Sequence, residues 1–393
     1  MGSAIRDGGW LTRARILRIA AISGVIGAGM LAFMWLSRAG SVDRFGSPVG
    51  ADFTAFWHAG RIALNGSPQA AWDLRSLNAA VHASHGVDYV TAWLYPPVFL
   101  LVAAPLAVLP YLGSLLAWQA LSLVALGSTL QAIFGKWTRT LVALASPLTP
   151  IVLAHGQNSF LTAALLGAGL LALEARPLAG GAAFGMLVYK PQLALVLGPL
   201  LLVRRQWSAL AVAALTAIGL VALSYTMFGA ESWAAFVESL AGSRRYMEQG
   251  AVGLHKSASL FAAVRLWGGG IDAAYFVQAL GAIGALALIW RTRSAGADVV
   301  AAAACAAAAL STPYLLDYDM AVVGIGAAFL FRASLRTGFR DFEGSALAFI
   351  WGAPWFSRPA AEYLLLPLGP VAMLLLAWLA WRRIPPEGTD TGG

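Results

Sequence analysis

Apolar residues run along this chain in stretches of roughly 17 to 25 positions, recurring from near residue 17 to residue 381. At 1.5 Å of rise per residue, such a stretch covers about 30 Å of hydrocarbon. It lacks the alternation of apolar and polar positions that the strands of an outer-membrane barrel need. The elements predicted are membrane-spanning helices, which bond every backbone group within their own segment where no water is at hand. The fold class is therefore an all-α polytopic membrane protein. A first helix is expected at 19–36, and further spans at about 113–134, 139–154, 159–174, 207–228, 271–290, 297–310, 318–332, 344–356 and 363–381. Two segments are ambiguous: 98–109 is short and flanked by Pro96, Pro97 and Pro110, and 178–203 is interrupted at Lys190-Pro191. Roughly ten to twelve spans result.

Charge orients these spans. Arg6, Arg13, Arg15 and Arg18 precede the first helix, which carries no convincing cleavage site and is expected to be retained with its N-terminus in the cytoplasm. Residues 37–95 then form a first external loop. Taking 98–109 as re-entrant or interfacial and 178–203 as a broken hairpin that touches the outer surface at Lys190 puts Lys136, Arg139, Arg176, Arg204 and Arg205 inside, as the positive-inside rule asks. A second external connection falls at 229–256. Residues 1–383 read as one transmembrane domain, and 384–393 as a short polar cytoplasmic tail, expected to be disordered.

Composition narrows the function classes. With 59% hydrophobic and 11% charged residues, the chain is not a soluble enzyme on a single anchor. The net charge of +8 comes from arginines between apolar runs, which is an orientation signal and not a nucleic-acid footprint. Cys305 is the single cysteine, so no intramolecular disulfide forms. Heavy use of Ala, Gly and Arg over Lys points to a bacterial cell membrane. No His, Cys or carboxylate spacing suits a preformed metal site, and no Gly-rich loop cradles a nucleotide.

Polar residues that break the apolar pattern are candidates for chemistry. Asp52 opens the helical pattern Phe53, Phe56, Trp57, Ile62 and Ala63, an amphipathic helix expected flat on the bilayer. Its carboxylate suits an N-cap, which accepts the first free amides, and equally a general base shielded from bulk water; the two roles are compatible. His58 and Arg61 follow on the same helix, and Trp93-Leu-Tyr-Pro-Pro97 is a rigid turn that brings Tyr95 toward it. His155-Gly-Gln-Asn-Ser159 puts Gln157 and Asn158 in an apolar region, as a site or as a helix–helix clasp. Lys190 must snorkel, pair or meet an anion. Arg244, Arg245, His255 and Lys256 offend the positive-inside rule unless they bind an anion such as a lipid phosphate. Asp317 and Asp319, two residues apart near Tyr314, suit capping, pairing with an arginine, or recognising sugar hydroxyls.

In order and spacing, these strings resemble the polyprenol-phosphate-mannose-dependent mannosyltransferases of glycosyltransferase family 87, whose architecture is the multi-helix GT-C bundle. The resemblance rests on Asp52-Phe-Thr-Ala-Phe-Trp-His-Ala-Gly-Arg61, Gly66-Ser-Pro68, Trp72-Asp73, Tyr95-Pro-Pro97, Gly156-Gln-Asn158, Tyr189-Lys-Pro-Gln192 and Pro313-Tyr-Leu-Leu-Asp-Tyr-Asp319. Trp72 departs from the tyrosine more usual in the family. The resemblance implies an inverting transfer of a hexose, mannose by analogy, at the external face of the membrane. The donor would be a polyprenyl-phosphate sugar and the acceptor a glycolipid or glycan hydroxyl, with Asp52 as base. It implies donor or substrate binding by Trp57, His58, Arg61, Tyr95, Gln157, Asn158, Lys190, Arg244, Arg245, His255, Lys256, Tyr314, Asp317 and Asp319. The lipid-linked sugar is then a substrate; no cofactor and no nucleic acid are expected, and membrane lipids are the other partners. A translocase of lipid-linked sugars without chemistry is the alternative.

Overall fold

A computed structural model describes residues 2–385. Among these residues the regular structure is helical, and β pairing is limited to isolated bridges, such as Ser257 with Leu316. Five helices are long and apolar enough to cross a membrane: Arg13–Leu36, Tyr111–Phe134, Trp207–Glu248, Ile271–Ser294 and Asp317–Thr337. Trp137–Leu144 and Leu148–His155, bent by 63°, make a sixth if taken as one broken span. The all-α polytopic class holds, with fewer unbroken spans than the ten to twelve expected. Several expected spans are shorter helices, namely Ser159–Ala172, Ala297–Leu310, Glu343–Gly352 and Leu368–Arg383. For the segments 139–154, 178–203, 344–356 and 363–381, proline gives the physical reason. Pro147, Pro191, Pro354 and Pro367 stand at helix starts, where each removes an N–H and obstructs the carbonyl four residues back. The 178–203 segment breaks at Lys190 as expected, and 98–109 holds the end of the turn Pro97–Phe99 and the short helix Leu100–Leu106. Beyond Pro385, the expected tail lies outside the described residues.

The centre of the molecule is Ala297–Leu310, a helix rich in alanine and buried almost from end to end. It packs against Ile271–Arg291, Ala321–Thr337 and Leu368–Arg383. Small side chains let these backbones approach closely: a Cβ at Gly326 would stand 2.7 Å from that of Cys305. With no hydrophobic driving force between helices in lipid, such close packing supplies much of the cohesion.

The segment 37–95, expected as an external loop, is structured and packs into the protein. The helix expected flat on the membrane, Phe53–Leu64, buries Phe53, Phe56, Ala59 and Gly60 inside the protein. Its small residues are the cause, because they allow it to cross Leu100–Leu106 so tightly that a Cβ on Gly60 would lie 2.2 Å from the Ala103 carbonyl oxygen. Phe56 packs edge-on against Trp93, Tyr95, Phe99 and Trp118, with ring centroids 5.1–6.2 Å apart. The segment 229–256, also expected to be external, is mostly helix as well. Trp207–Glu248 turns at Gly229, whose φ of 80° favours glycine, and its distal half packs on Pro68–Trp72 through Trp72 and Phe236. The two segments thus pack on each other.

The Gly60 crossing gives a direct test. Gly60→Ala should lower the thermal midpoint in detergent measurably, by the equivalent of about 1–3 kcal/mol of overpacking. Gly219→Ala, whose added Cβ meets nothing within 4 Å, should leave it unchanged. Equal midpoints for the two variants would contradict the tight crossing.

Candidate active site

The helix Leu148–His155 ends at Gly156, in the left-handed region at φ 63°, and the chain re-enters a helix at Ser159. Glycine is required there on two counts, since a Cβ would also stand 2.6 Å from that of Phe53. The break points Gln157 and Asn158 at the start of the Phe53–Leu64 helix, and the Asp52 N–H donates to the His155 carbonyl at 3.1 Å. The carboxylate of Asp52 does not cap its helix. Its Oδ2 instead accepts from Gln157 Nε2 at 2.8 Å.

Gln157 is buried and fully used. Its Nε2 also donates to the Tyr318 hydroxyl at 3.1 Å, while its Oε1 accepts from the Tyr95 hydroxyl at 3.2 Å and from the Asn158 backbone N–H at 3.1 Å. A backbone N–H can only donate, so the amide oxygen must face it and the NH2 must face Asp52. Both N–H bonds and both lone pairs are occupied, which leaves the side chain one orientation. Burial first, then the charges of Asp319 and Asp52, hold the Tyr95 phenol well above its ordinary pKa, so it remains a neutral donor.

A charged layer lies beneath. Lys190 Nζ donates to Asp319 Oδ1 at 2.5 Å and to Asn158 Oδ1 at 3.1 Å, and Ser159 Oγ donates to the same Asp319 oxygen at 2.8 Å. Both side chains of the ion pair are about 4% exposed, so pairing rather than snorkelling satisfies the ammonium. On the other side, Arg358 binds Asp317 through Nε and Nη2 and donates from Nη2 to His155 Nε2 at 3.2 Å. His155 Nδ1 therefore carries the proton, which it gives to the Ile151 carbonyl at 3.0 Å.

The structure thus gathers Asp52, Tyr95, Gln157, Asn158, Lys190, Asp317 and Asp319. The other expected residues lie elsewhere. Trp57 donates to the Leu109 carbonyl at 3.0 Å, and Arg61 lies exposed over the Trp57 ring. Arg244 pairs with Glu248 at 2.7 Å, and Glu248 also accepts from Tyr275, a neighbour of Tyr314. Arg245 is exposed, and half-buried His255 borders a small cavity beside Asp317. Lys256 is half-buried, and its side chain makes no hydrogen bond or ion pair among the described residues. Sequence reasoning missed Arg358, Tyr318, Ser159 and Tyr89, whose phenol is raised to about 12 by burial first and by Asp52 second. For Arg358 a signal existed: it falls in the expected external connection between 344–356 and 363–381, against the positive-inside rule.

A model of glycosyltransferase family 87 matches residues 93–316, which include Tyr95, Gln157, Asn158 and Lys190 and begin after Asp52. No curated protein and no solved structure matches the chain.

His58 has a separate setting. It is buried beside Tyr111 and His85, its Nδ1 donates to the Thr54 carbonyl at 2.8 Å, and its Nε2 has no partner among the described residues. Burial, the leading cause, lowers its pKa from 6.5 to about 4. In the unfolded chain this imidazole takes its proton near pH 6.5, but in the folded chain only near pH 4. Between those values the unfolded state binds more protons, so stability falls as pH falls. Thermal midpoints measured from pH 7 to pH 4.5 should drop less steeply for His58→Phe than for the parent. Parallel slopes would contradict the buried neutral imidazole.

Proposed function

The chain belongs to glycosyltransferase family 87, and from that premise we propose that it moves a hexose, mannose by family analogy, from a polyprenyl-phosphate carrier to a hydroxyl of a glycolipid or glycan. In this reading the reaction runs at the outer face of a bacterial cell membrane, with the N-terminus in the cytoplasm, and no cofactor takes part. The observation that carries it is the half-exposed Asp52 carboxylate, whose Oδ2 is held by an immobilised amide while its Oδ1 makes no hydrogen bond among the described residues.

The chemistry then follows from general-base catalysis. The Oδ1 of Asp52 takes the proton of the acceptor hydroxyl as its oxygen attacks the anomeric carbon of the hexose. Attack comes from the face opposite the phosphate, so the bond between that carbon and the phosphate oxygen breaks as the new one forms. The electron pair leaves on polyprenyl phosphate, which becomes more negative by one. The proton rests on Asp52, and a β-linked donor yields an α-linked product. Gln157 holds the carboxylate through the step, and the aromatic wall of Phe56, Trp93, Tyr95 and Phe99 limits bulk water on the same side.

The test is transfer of radiolabelled hexose from polyprenyl-phosphate mannose to membrane lipid acceptors by purified protein. Asp52→Ala, at matched thermal stability, should lower the rate by about 10² to 10⁴, the usual size of a general-base contribution. Undiminished transfer by this variant would remove Asp52 from the role.

A further inference from the structure

A groove of about 890 Å³ follows the Asp317–Thr337 span, whose 21 residues cover about 30 Å at 1.5 Å each. Its walls are chiefly apolar, with Phe134, Ile325, Phe331 and Trp351 among them. Leu17, Ile19 and Leu335 line it and are themselves exposed, so the groove opens sideways onto the apolar outer surface. Asp317 marks the end beside the candidate active site. The opposite end is lined by three cations, Arg13, Lys136 and Arg139, and by one carboxylate, Asp7. Two contacts place the cations there. The Phe134 ring meets that of Phe331 at 6.1 Å, and Arg139 Nη1 reaches the Phe134 carbonyl at 3.5 Å. The residues before Arg13 are held at the same end, since Trp10 Nε1 donates to Ser345 Oγ at 2.8 Å and a Cβ on Gly344 would lie 3.4 Å from Leu11.

Neighbouring cations are already engaged. Arg6 pairs with Asp341, Arg332 with Asp298 and Arg383 with Glu343. On the first helix, Arg15 and Arg18 donate to the backbone carbonyls of Trp10 and Ala14. The groove cations differ. Arg13 and Lys136 are exposed, and their side chains make no hydrogen bond or ion pair among the described residues. Arg139 is half-buried, and its side chain makes only the long bond to Phe134 among them. The positive-inside bias accounts for charge at this end, but not for free donors converging on an apolar channel. Two guanidiniums and an ammonium above such a channel match a phosphodiester that carries an acyl chain. A lipid entering from this end reaches about half of the roughly 30 Å hydrocarbon core, so it leaves the half toward Asp317 open.

We propose that this end of the groove binds an anionic glycerophospholipid of the surrounding membrane, its phosphodiester on Arg13, Lys136 and Arg139 and an acyl chain along Phe134 and Phe331. The lipid is held and not consumed, and the inference does not rest on the transferase reading. Its structural effect follows from where the cations come from. Arg13 starts the helix Arg13–Leu36, of which only 17% is buried by the rest of the protein, while Lys136 and Arg139 stand at the start of Trp137–Leu144. A lipid on all three ties the loosely packed first helix to the bundle.

Binding to the full chain in detergent, read by native mass spectrometry, tests this with dioleoyl phosphatidylglycerol, dioleoyl phosphatidylcholine and glycerol 3-phosphate. Phosphatidylglycerol should bind at least about tenfold tighter than the zwitterionic lipid, and should raise the thermal midpoint. Arg13→Gln, Lys136→Gln and Arg139→Gln combined should abolish that preference and the rise in midpoint. Arg15→Gln with Arg18→Gln, which removes two charges of the same helix outside the groove, should leave the preference within about twofold. Ala143→Phe adds bulk to the wall one turn beyond Arg139, at a half-buried position, and should weaken both lipids alike. The proposal is overturned if the triple variant keeps the preference, if the Arg15 and Arg18 control loses it equally, if Ala143→Phe binds both lipids as the parent does, or if glycerol 3-phosphate binds as tightly as phosphatidylglycerol.

Discussion

One amide holds the site together. Gln157 donates to Asp52 and Tyr318 and accepts from Tyr95 and from the peptide of Asn158, so it joins the start of the Phe53–Leu64 helix, the turn at Tyr95 and the start of the Asp317–Thr337 span to its own broken helix at Gly156. Each of these comes from a different stretch of chain. An amide in an apolar region is costly unless its hydrogen bonds are made, and beside the peptide of Asn158 the three distant partners make them only when all three stand in register. The requirement to satisfy Gln157 is thus a constraint on the fold as much as on the site.

The same rule explains the layer below. A lysine and an aspartate side by side in a membrane protein are tolerable when each neutralises the other and neighbours supply the remaining bonds, as Asn158 and Ser159 do for Lys190 and Asp319. At the opposite end of the bundle, Arg332 with Asp298 and Arg383 with Glu343 solve the same problem. What sets the first end apart is Asp52, whose carboxylate is positioned from one side and open on the other. Between the two ends, alanine and glycine draw the helices close enough to keep these networks rigid.

Much of this was legible in the sequence. Long apolar runs demand helices, so the fold class followed from pattern alone, and the polar strings around Asp52, Gln157, Lys190 and Asp319 stood out because polar groups in an apolar field need a reason. The number of unbroken spans was not legible, because a run of apolar residues does not say whether Pro147 or Pro354 bends it or merely starts a new helix. The burial of Phe53–Leu64 escaped for a related cause: its apolar face suits lipid and protein alike, and only the fit of Gly60 against Ala103 decides between them. Pairing across the fold was equally hidden. Nothing local tells that Lys190 meets Asp319, 129 residues on, or that Arg358 meets His155 and Asp317.

The claim at the centre is that Gln157 orients Asp52 for proton transfer, and the kinetics of Gln157→Met test it most directly, because the side chain keeps its length and loses its amide. With folding matched to the parent, kcat for hexose transfer should fall about tenfold or more, since displacing a base by even 1 Å is costly, while KM for the lipid donor changes little. An unchanged kcat, or a loss confined to KM, would contradict the account.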